Sequence, residues 1–263
     1  MIRVDIGGWT YEPWRGVFYP EKLPQARELS HASRAVTAIE VNGTFYGTMK
    51  PASFRKWHDE TPDDFMFSLK APRFAVNRRV LAEAGDSIKH FFNSGVGELG
   101  PKLGPILWQL AGTKKFDPAD IAAFLKLMPR EHEGRVLRHV IEARHPSFCV
   151  PEFIDLARAH GVAIVFAESE EYPAIGDATA DFLYLRLQNT KDDVPAGYPP
   201  AALSAVVDWA RIWERGDEPD DVPRVAGKSP VKQKRDVFVF MISGAKVRNP
   251  AAAMAMLEIL KDK

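Results

Sequence analysis

The stretch DFLYLRLQ (181–188) alternates without a break. Leu183, Leu185 and Leu187 fall on one parity, and Tyr184, Arg186 and Gln188 on the other. Successive side chains of a β-strand point to opposite faces, so one face here is wholly aliphatic and the other carries a phenol, a guanidinium and an amide. In a barrel the aliphatic face meets the surrounding helices and the polar row turns to the interior. Three other segments split the same way. Ile39 and Val41 oppose Ala38, Glu40 and Asn42; Phe65, Phe67 and Leu69 oppose Met66, Ser68 and Lys70; Ile141 and Ala143 oppose Val140, Glu142 and Arg144. Similar parity is expected to place Gln109 and Glu168 inside, with Asp5 deeper.

These segments belong to a longer series. Short apolar strands are expected at 3–6, 38–42, 65–70, 105–110, 138–144, 163–168, 181–188 and 236–243. Helical patterns lie between them. Asp117-Pro118 opens one as N-cap and first residue, followed by Ile121, Phe124, Leu125 and Met128. Pro151 opens another that Gly161 stops, and Pro199-Pro200 precedes the longest, with Leu203, Val206, Val207, Ala210 and Trp213 on one side. Weaker patterns cover 52–59 and 86–99. A last helix is expected at 250–260 with Met254, Leu257 and Leu260 as its apolar stripe, and hardly any helix is visible between strands six and seven. Strands alternating with helices imply a parallel sheet, and eight beats in this length match a single, somewhat irregular α/β barrel of the (β/α)₈ TIM type over residues 1–263. An open doubly wound sheet would show fewer strands and a glycine-rich phosphate loop; Gly7-Gly8 is not G-x-G-x-x-G, so no nucleotide cofactor is assigned. The segment 214–235, acidic then basic, reads as a solvated charged loop before the last strand.

Composition agrees with this reading. The 263 residues are 46% hydrophobic, and 35 Lys+Arg balance 35 Asp+Glu, which argues against a protein that coats nucleic acid or anionic membrane by bulk charge. No apolar run approaches the roughly 18 residues a membrane helix needs. The lone Cys149 excludes an internal disulfide, and MIRVDIGGW reads as a strand rather than a secretion signal, so a cytoplasmic protein is expected.

The inward polar row holds the candidate site. Glu40, Lys70, Gln109, Glu142, Arg144, Glu168 and Arg186 all lie at or near strand C-termini, where barrel enzymes place their chemistry. A self-satisfied ion-pair plug would be no more stable than an apolar one, so this many ionisable groups point to function. Lys70, Arg144 and Arg186 suit a phosphate- or carboxylate-bearing ligand, and Glu142 or Glu40 is the expected general acid or base. Lys70 stands where a Schiff-base lysine would, but its acidic neighbours favour a salt-bridged role. Trp9, Tyr11 and Tyr46 in the loops leaving the same end are expected to wall the ligand. Of seven histidines, only His145 falls at a strand end there, and no H-x-H, H-x-x-x-H or Cys pair exists for zinc. Glu40, Glu142 and Glu168 offer carboxylates to Mg²⁺ or Mn²⁺, yet the neighbouring cations compete for them, so no metal is assigned. Ser147 reads as a helix cap, and Cys149 as a packed, apolar thiol.

The segments GGWTYEPWRGVFYP (7–20), IEVNGTFYGT (39–48), FMFSLKAPR (65–73), LGPILWQL (103–110), IEARHPSF (141–148) and DFLYLRLQ (181–188) together resemble the YecE-like family, also called domain of unknown function 72. The resemblance runs in order over nearly the whole chain. It implies a TIM-type barrel and brings no established reaction, although a distant likeness to barrel enzymes that cut damaged nucleic acid, or simple nucleic-acid binding, goes with it. The family pattern falls on Trp9, Tyr11, Trp14, Gly16, Glu40, Asn42, Thr44, Phe45, Tyr46, Lys70, Gln109, Glu142, Arg144, His145, Tyr184 and Arg186. Four stretches depart from it: Gly7-Gly8-Trp9, Leu110-Ala111-Gly112, Gln188-Asn189 and Ile242-Ser243-Gly244. Two functions are therefore carried forward: a hydrolase or lyase acting on a small anionic, nucleotide-like substrate, or a non-catalytic binder of nucleic acid or a metabolite. The binder would use the aromatic loops and the basic run 228–235.

Overall fold

Eight parallel strands close on themselves: β1 (Ile2–Gly7), β2 (Ala38–Val41), β3 (Met66–Lys70), β4 (Leu103–Gln109), β5 (His139–Glu142), β6 (Ala163–Glu168), β7 (Phe182–Leu187) and β8 (Asp236–Met241). Each pairs with its sequence neighbour, and β1 pairs with β8 through Ile2 opposite Val237 to Ile6 opposite Met241. The computed structural model describes residues 1–262. All eight expected strands are present, shifted at their ends by a few residues at most.

Alternation along these strands sorts the side chains into two buried populations. Val4, Ile6, Ile39, Phe67, Leu69, Trp108, Ile141, Leu183 and Leu185 face outward and join the helices in one large apolar layer. Leu107, Val140, Val165, Phe182, Tyr184, Phe238 and Phe240 fill the lumen as a separate cluster. Tyr184 and Phe240 stack at 4.6 Å across it. The lumen is thus a packed core, apolar over most of its lower and middle levels apart from the buried Asp5. Its other charged groups gather toward the upper end.

Among the described residues, seven α-helices of eight residues or more surround the barrel: α1 (Glu28–Ala35), α2 (Pro51–Glu60), α3 (Gly85–Phe92), α4 (Pro118–Leu127), α5 (Pro151–His160), α6 (Pro200–Arg215) and α7 (Asn249–Asp262). Their ends follow local chemistry. The Asp117 carboxylate accepts from the amides of Ala119 and Asp120, and α5 stops at Gly161, whose φ of 63° lies in the left-handed region. Among the described residues no helix joins β6 to β7; the connection is irregular.

Two expectations are corrected. The stripe on α7 does not include Met254, which is exposed; Leu257 and Leu260 are half-buried against the core, and the fully buried face is Ala252, Ala253 and Met256. Small residues let the helix sit close to the strands beneath it. The charged segment is not a freely solvated loop either. Its first two residues end α6, and beyond Gly216 the chain packs down, with Glu218 buried and accepting from the Ser229 amide. Arg235 is buried too, donating to the carbonyls of Ala180, Gly216, Val231 and Gln233. Lys228 pairs with Asp220 and Lys232 with Asp217, so the basic half is partly neutralised by the acidic half. A two-stranded hairpin of Glu131–His132 and Arg135–Val136 also precedes β5, turning through Glu133 and Gly134 at positive φ.

Candidate functional site at the barrel mouth

The C-terminal ends of β2, β3, β5 and β7 deliver four charged side chains into the upper lumen, and Arg186 is their hub. Its Nη1 donates to both oxygens of Glu142 at 2.8 Å, while Nε and Nη2 each donate at 3.1 Å to one oxygen of Glu40. The planar fork of arginine is what lets one cation hold two carboxylates at once. The Tyr184 hydroxyl donates to Glu40 Oε2 at 2.8 Å and meets Ser68 Oγ, which also donates to the Pro105 carbonyl. Gln109 Nε2 donates to Glu142 Oε2. Glu40, Glu142 and Arg186 are all but sealed from solvent.

Burial and charge set the protonation of this group. Burial alone would raise Glu142, but Arg186 and Arg144, with hydrogen bonds from Gln109 and Arg186, outweigh it and hold the carboxyl below its ordinary range. Burial works against the Arg186 charge, yet Glu142 and Glu40 more than compensate and push its pKa up. Tyr184 is raised well above the usual phenol, by burial first and by Glu40 next. Glu142 therefore rests as a carboxylate, Arg186 as a guanidinium and Tyr184 as a neutral phenol.

Two further cations stand nearer to solvent. Arg144 has a side chain 21% exposed, lies 4.2 Å over the Tyr172 ring, and reaches Glu142 Oε1 only at 3.3 Å, from both Nε and Nη2. Lys70 is not salt-bridged, contrary to expectation. The fork of Arg186 occupies the carboxylates, and Lys70 Nζ has one hydrogen-bond partner among the described residues, Asn42 Oδ1 at 3.4 Å, with the Phe45 ring centroid 4.5 Å away. Burial lowers its pKa to about 8 against the pull of Glu40. Asn42 is free for this contact because it precedes the one-turn helix Gly43–Tyr46 without capping it. Thr44, in that turn, donates to the Lys70 carbonyl at 2.7 Å and ties the loop to β3.

Other expected site residues lie elsewhere. Glu168 shares its parity with Ile164 and Phe166 of the outer layer rather than with the lumen residues Val165 and Ala167. Its carboxylate accepts from Asn189 Nδ2, the Tyr198 hydroxyl and the Gln188 amide, clamping the loop after β7. Trp9 turns back onto α2, edge-on to Trp57 at 5.2 Å, so it is no wall of the mouth. Tyr11 packs on Trp14 under Lys246. Tyr46 is 67% exposed against Phe45. His145 Nδ1 accepts from the Ser147 amide and so is itself the cap of its turn, the role expected of Ser147. Cys149 is exposed rather than packed. Asp5 is in the lumen, fully buried, with Oδ2 unpartnered and its pKa raised to about 8 by burial. Sequence reasoning did not find Tyr172, because it lies in the irregular β6–β7 connection where no periodicity marks it. Among the described residues no group of three or more His, Cys, Asp or Glu is placed to hold a metal, and no helix is long and apolar enough to cross a membrane.

Comparison with known proteins agrees with this fold. The protein YecE of Escherichia coli K12 is 27% identical over 151 residues, which are 56% of this chain and 50% of that one, so the match spans about half the length of the curated relative. The crystal structure of a DUF72 family protein from Thermotoga maritima superposes with a TM-score of 0.72 at 19% identity, covering 100% of both chains. One from Enterococcus faecalis does so at 0.69 and 18%, covering 99% of this chain and 98% of that one. The model of the family described as "protein of unknown function DUF72" matches residues 3–263. This TIM-type barrel is a member of the DUF72 family.

Proposed function

We propose that the barrel mouth binds a small anionic ligand, phosphate- or nucleotide-like, through Arg144 and Lys70. The observation that carries this is the imbalance of the buried network: three cations face two carboxylates, and the innermost cation holds both carboxylates at the shortest distances. The surplus positive charge sits on the two groups nearest solvent, and Arg144, which meets Glu142 only at 3.3 Å, has a guanidinium suited to an oxyanion. A cleft of about 750 Å³ at the same end, lined by Arg78, Arg79, Lys114 and Lys115, extends the positive field outward. Glu142, held as a carboxylate by its arginines, suits a general base in hydrolysis or elimination better than a general acid. Thermal shift with inorganic phosphate and pyrophosphate tests the reading. A rise in Tm that Arg144→Met abolishes and added NaCl weakens supports it; a Tm indifferent to both anions overturns it.

A second reading is a non-catalytic nucleic-acid binder. The basic run 228–235 does not support it, since it precedes β8 at the opposite end of the barrel and is partly neutralised within its own loop. What favours it is the rim, where Tyr46 and Phe74 are exposed and the Arg73 guanidinium lies 5.2 Å over the Phe74 ring. Binding to a single-stranded oligonucleotide with a steep inverse salt dependence supports this reading, and absence of binding at low salt rejects it.

A further inference from the structure

We propose that Lys70 is a nucleophilic amine that forms an imine with a carbonyl group of the anionic ligand, so that the substrate class is a keto acid or a phosphorylated aldehyde. This rests on, and deepens, the anion reading of the mouth. Three features of position carry it. Lys70 is the last residue of β3, its backbone fixed in the barrel wall and its carbonyl held by Thr44. Its Nζ is buried but bound to a single weak partner, Asn42 Oδ1, and no carboxylate neutralises it at close range. The Phe45 ring covers one side of the amine and limits its hydration.

The charged groups facing Lys70 come from three strands. Glu40 of β2 and Glu142 of β5 favour its protonation, and Arg186 of β7 and Arg144 beyond β5 oppose it. Desolvation outweighs the balance of these terms and brings its pKa to about 8, so a usable fraction is neutral near physiological pH. Arg144 would hold the anionic group while the amine attacks. The Lys70 nitrogen forms a bond to the carbonyl carbon, the carbonyl π pair goes to oxygen, and a proton passes from nitrogen to that oxygen. Uptake of one further proton expels water and leaves the protonated imine, with no oxidant or reductant required.

The test is reductive trapping of the intact protein with pyruvate and sodium cyanoborohydride, read by peptide mass spectrometry, beside the same experiment with formaldehyde. Expected are preferential modification of Lys70 over the exposed lysines, a rate that falls below a midpoint near pH 8, and loss of the Lys70 adduct in Lys70→Met. Arg144→Met should slow trapping of pyruvate more than that of formaldehyde, which loses only what a higher Lys70 pKa takes from the neutral amine. Labelling spread over surface lysines with Lys70 untouched by either reagent overturns the inference, even if phosphate stabilises the protein and the anion reading survives. Conversely, Lys70 labelled by formaldehyde at its low midpoint, with no anion-dependent Tm shift, keeps the reactive amine and rejects the anion site.

Discussion

Arg186 and Glu142, 44 residues apart in the chain, meet through two hydrogen bonds of 2.8 Å from one guanidinium nitrogen to both carboxylate oxygens. With Glu40 held on the other edge of the same fork, Arg186 is, among the described residues, the only close ionic partner of Glu40 and the principal partner of Glu142. Removing it strands two buried charges. Arg186→Met is expected to cost about 3–5 kcal/mol in urea unfolding, the range for breaking a buried pair from one side. Removing Glu142 as well leaves Glu40 without its ion-pair partner, so only the triple replacement of Glu40, Glu142 and Arg186 by methionine should recover stability. A tolerated single Arg186→Met would contradict the description of this network.

Two buried groups in other parts of the barrel shape the pH dependence of stability in opposite directions. Asp5 is raised to about 8 by burial, so the native state holds a proton that the unfolded chain releases near pH 4. Its contribution is fully present below pH 4 and declines up to about pH 8. His139 is lowered to about 4 by burial, with Trp108 donating to its Nδ1 and its Nε2 on the Pro129 carbonyl. Its contribution is present above about 6.5 and is lost as pH falls toward 4. The two slopes largely cancel between pH 4 and 6.5, leaving a net decline above it. In Asp5→Asn, chemical denaturation at a series of pH values should show stability rising from pH 4 to 6.5 by at most about 1.4 kcal/mol per pH unit, then levelling. A flat profile in that variant would rule out the assignment of His139.

Glu168 anchors a loop rather than serving the mouth. Glu168→Gln should lower stability by about 1.5–3 kcal/mol, the loss of charge-assisted hydrogen bonds to Asn189, Tyr198 and the Gln188 amide. The phosphate-induced Tm shift should be unchanged. A selective loss of that shift with stability intact would return Glu168 to the site.

The cap of α4 tests local helix chemistry apart from the buried network. Asp117→Ala removes the acceptor for two first-turn amides and is expected to cost about 1 kcal/mol by thermal or urea denaturation, and an unchanged stability would contradict the cap.

How much of this was legible in the sequence depended on whether a strand had one polar face. In β2, β3, β5 and β7 the lumen row carries Glu40, Ser68, Lys70, Glu142, Tyr184 and Arg186 against an aliphatic outer row, so parity alone identified the interior and gathered the network. In β6 both rows are apolar, Ala163, Val165 and Ala167 on one side and Ile164 and Phe166 on the other. Alternation there does not say which side is the lumen, and Glu168 was placed on the wrong one. Pairing inside the cluster was also not legible. Three cations competing for two carboxylates is a problem of reach and fork geometry, which Arg186 wins and Lys70 loses. Trp9 and α7 misled for a common reason: composition marks a residue as apolar without saying which neighbour comes close enough to bury it.

The seam between β1 and β8 joins residues 2–6 to residues 237–241. During synthesis the ring stays an open ribbon until its final strand leaves the ribosome, and until then Ile2–Gly7 and Phe182–Leu187 are bare margins able to recruit another molecule. Every polar group of the mouth has been made by that point, so the chain must hold its most expensive cargo, two acids and an arginine, in a half-built vessel. Closure late in the chain's history makes folding a matter of long-range encounter, and slow. Versions cut before Asp236 should accumulate as aggregates rather than as smaller barrels.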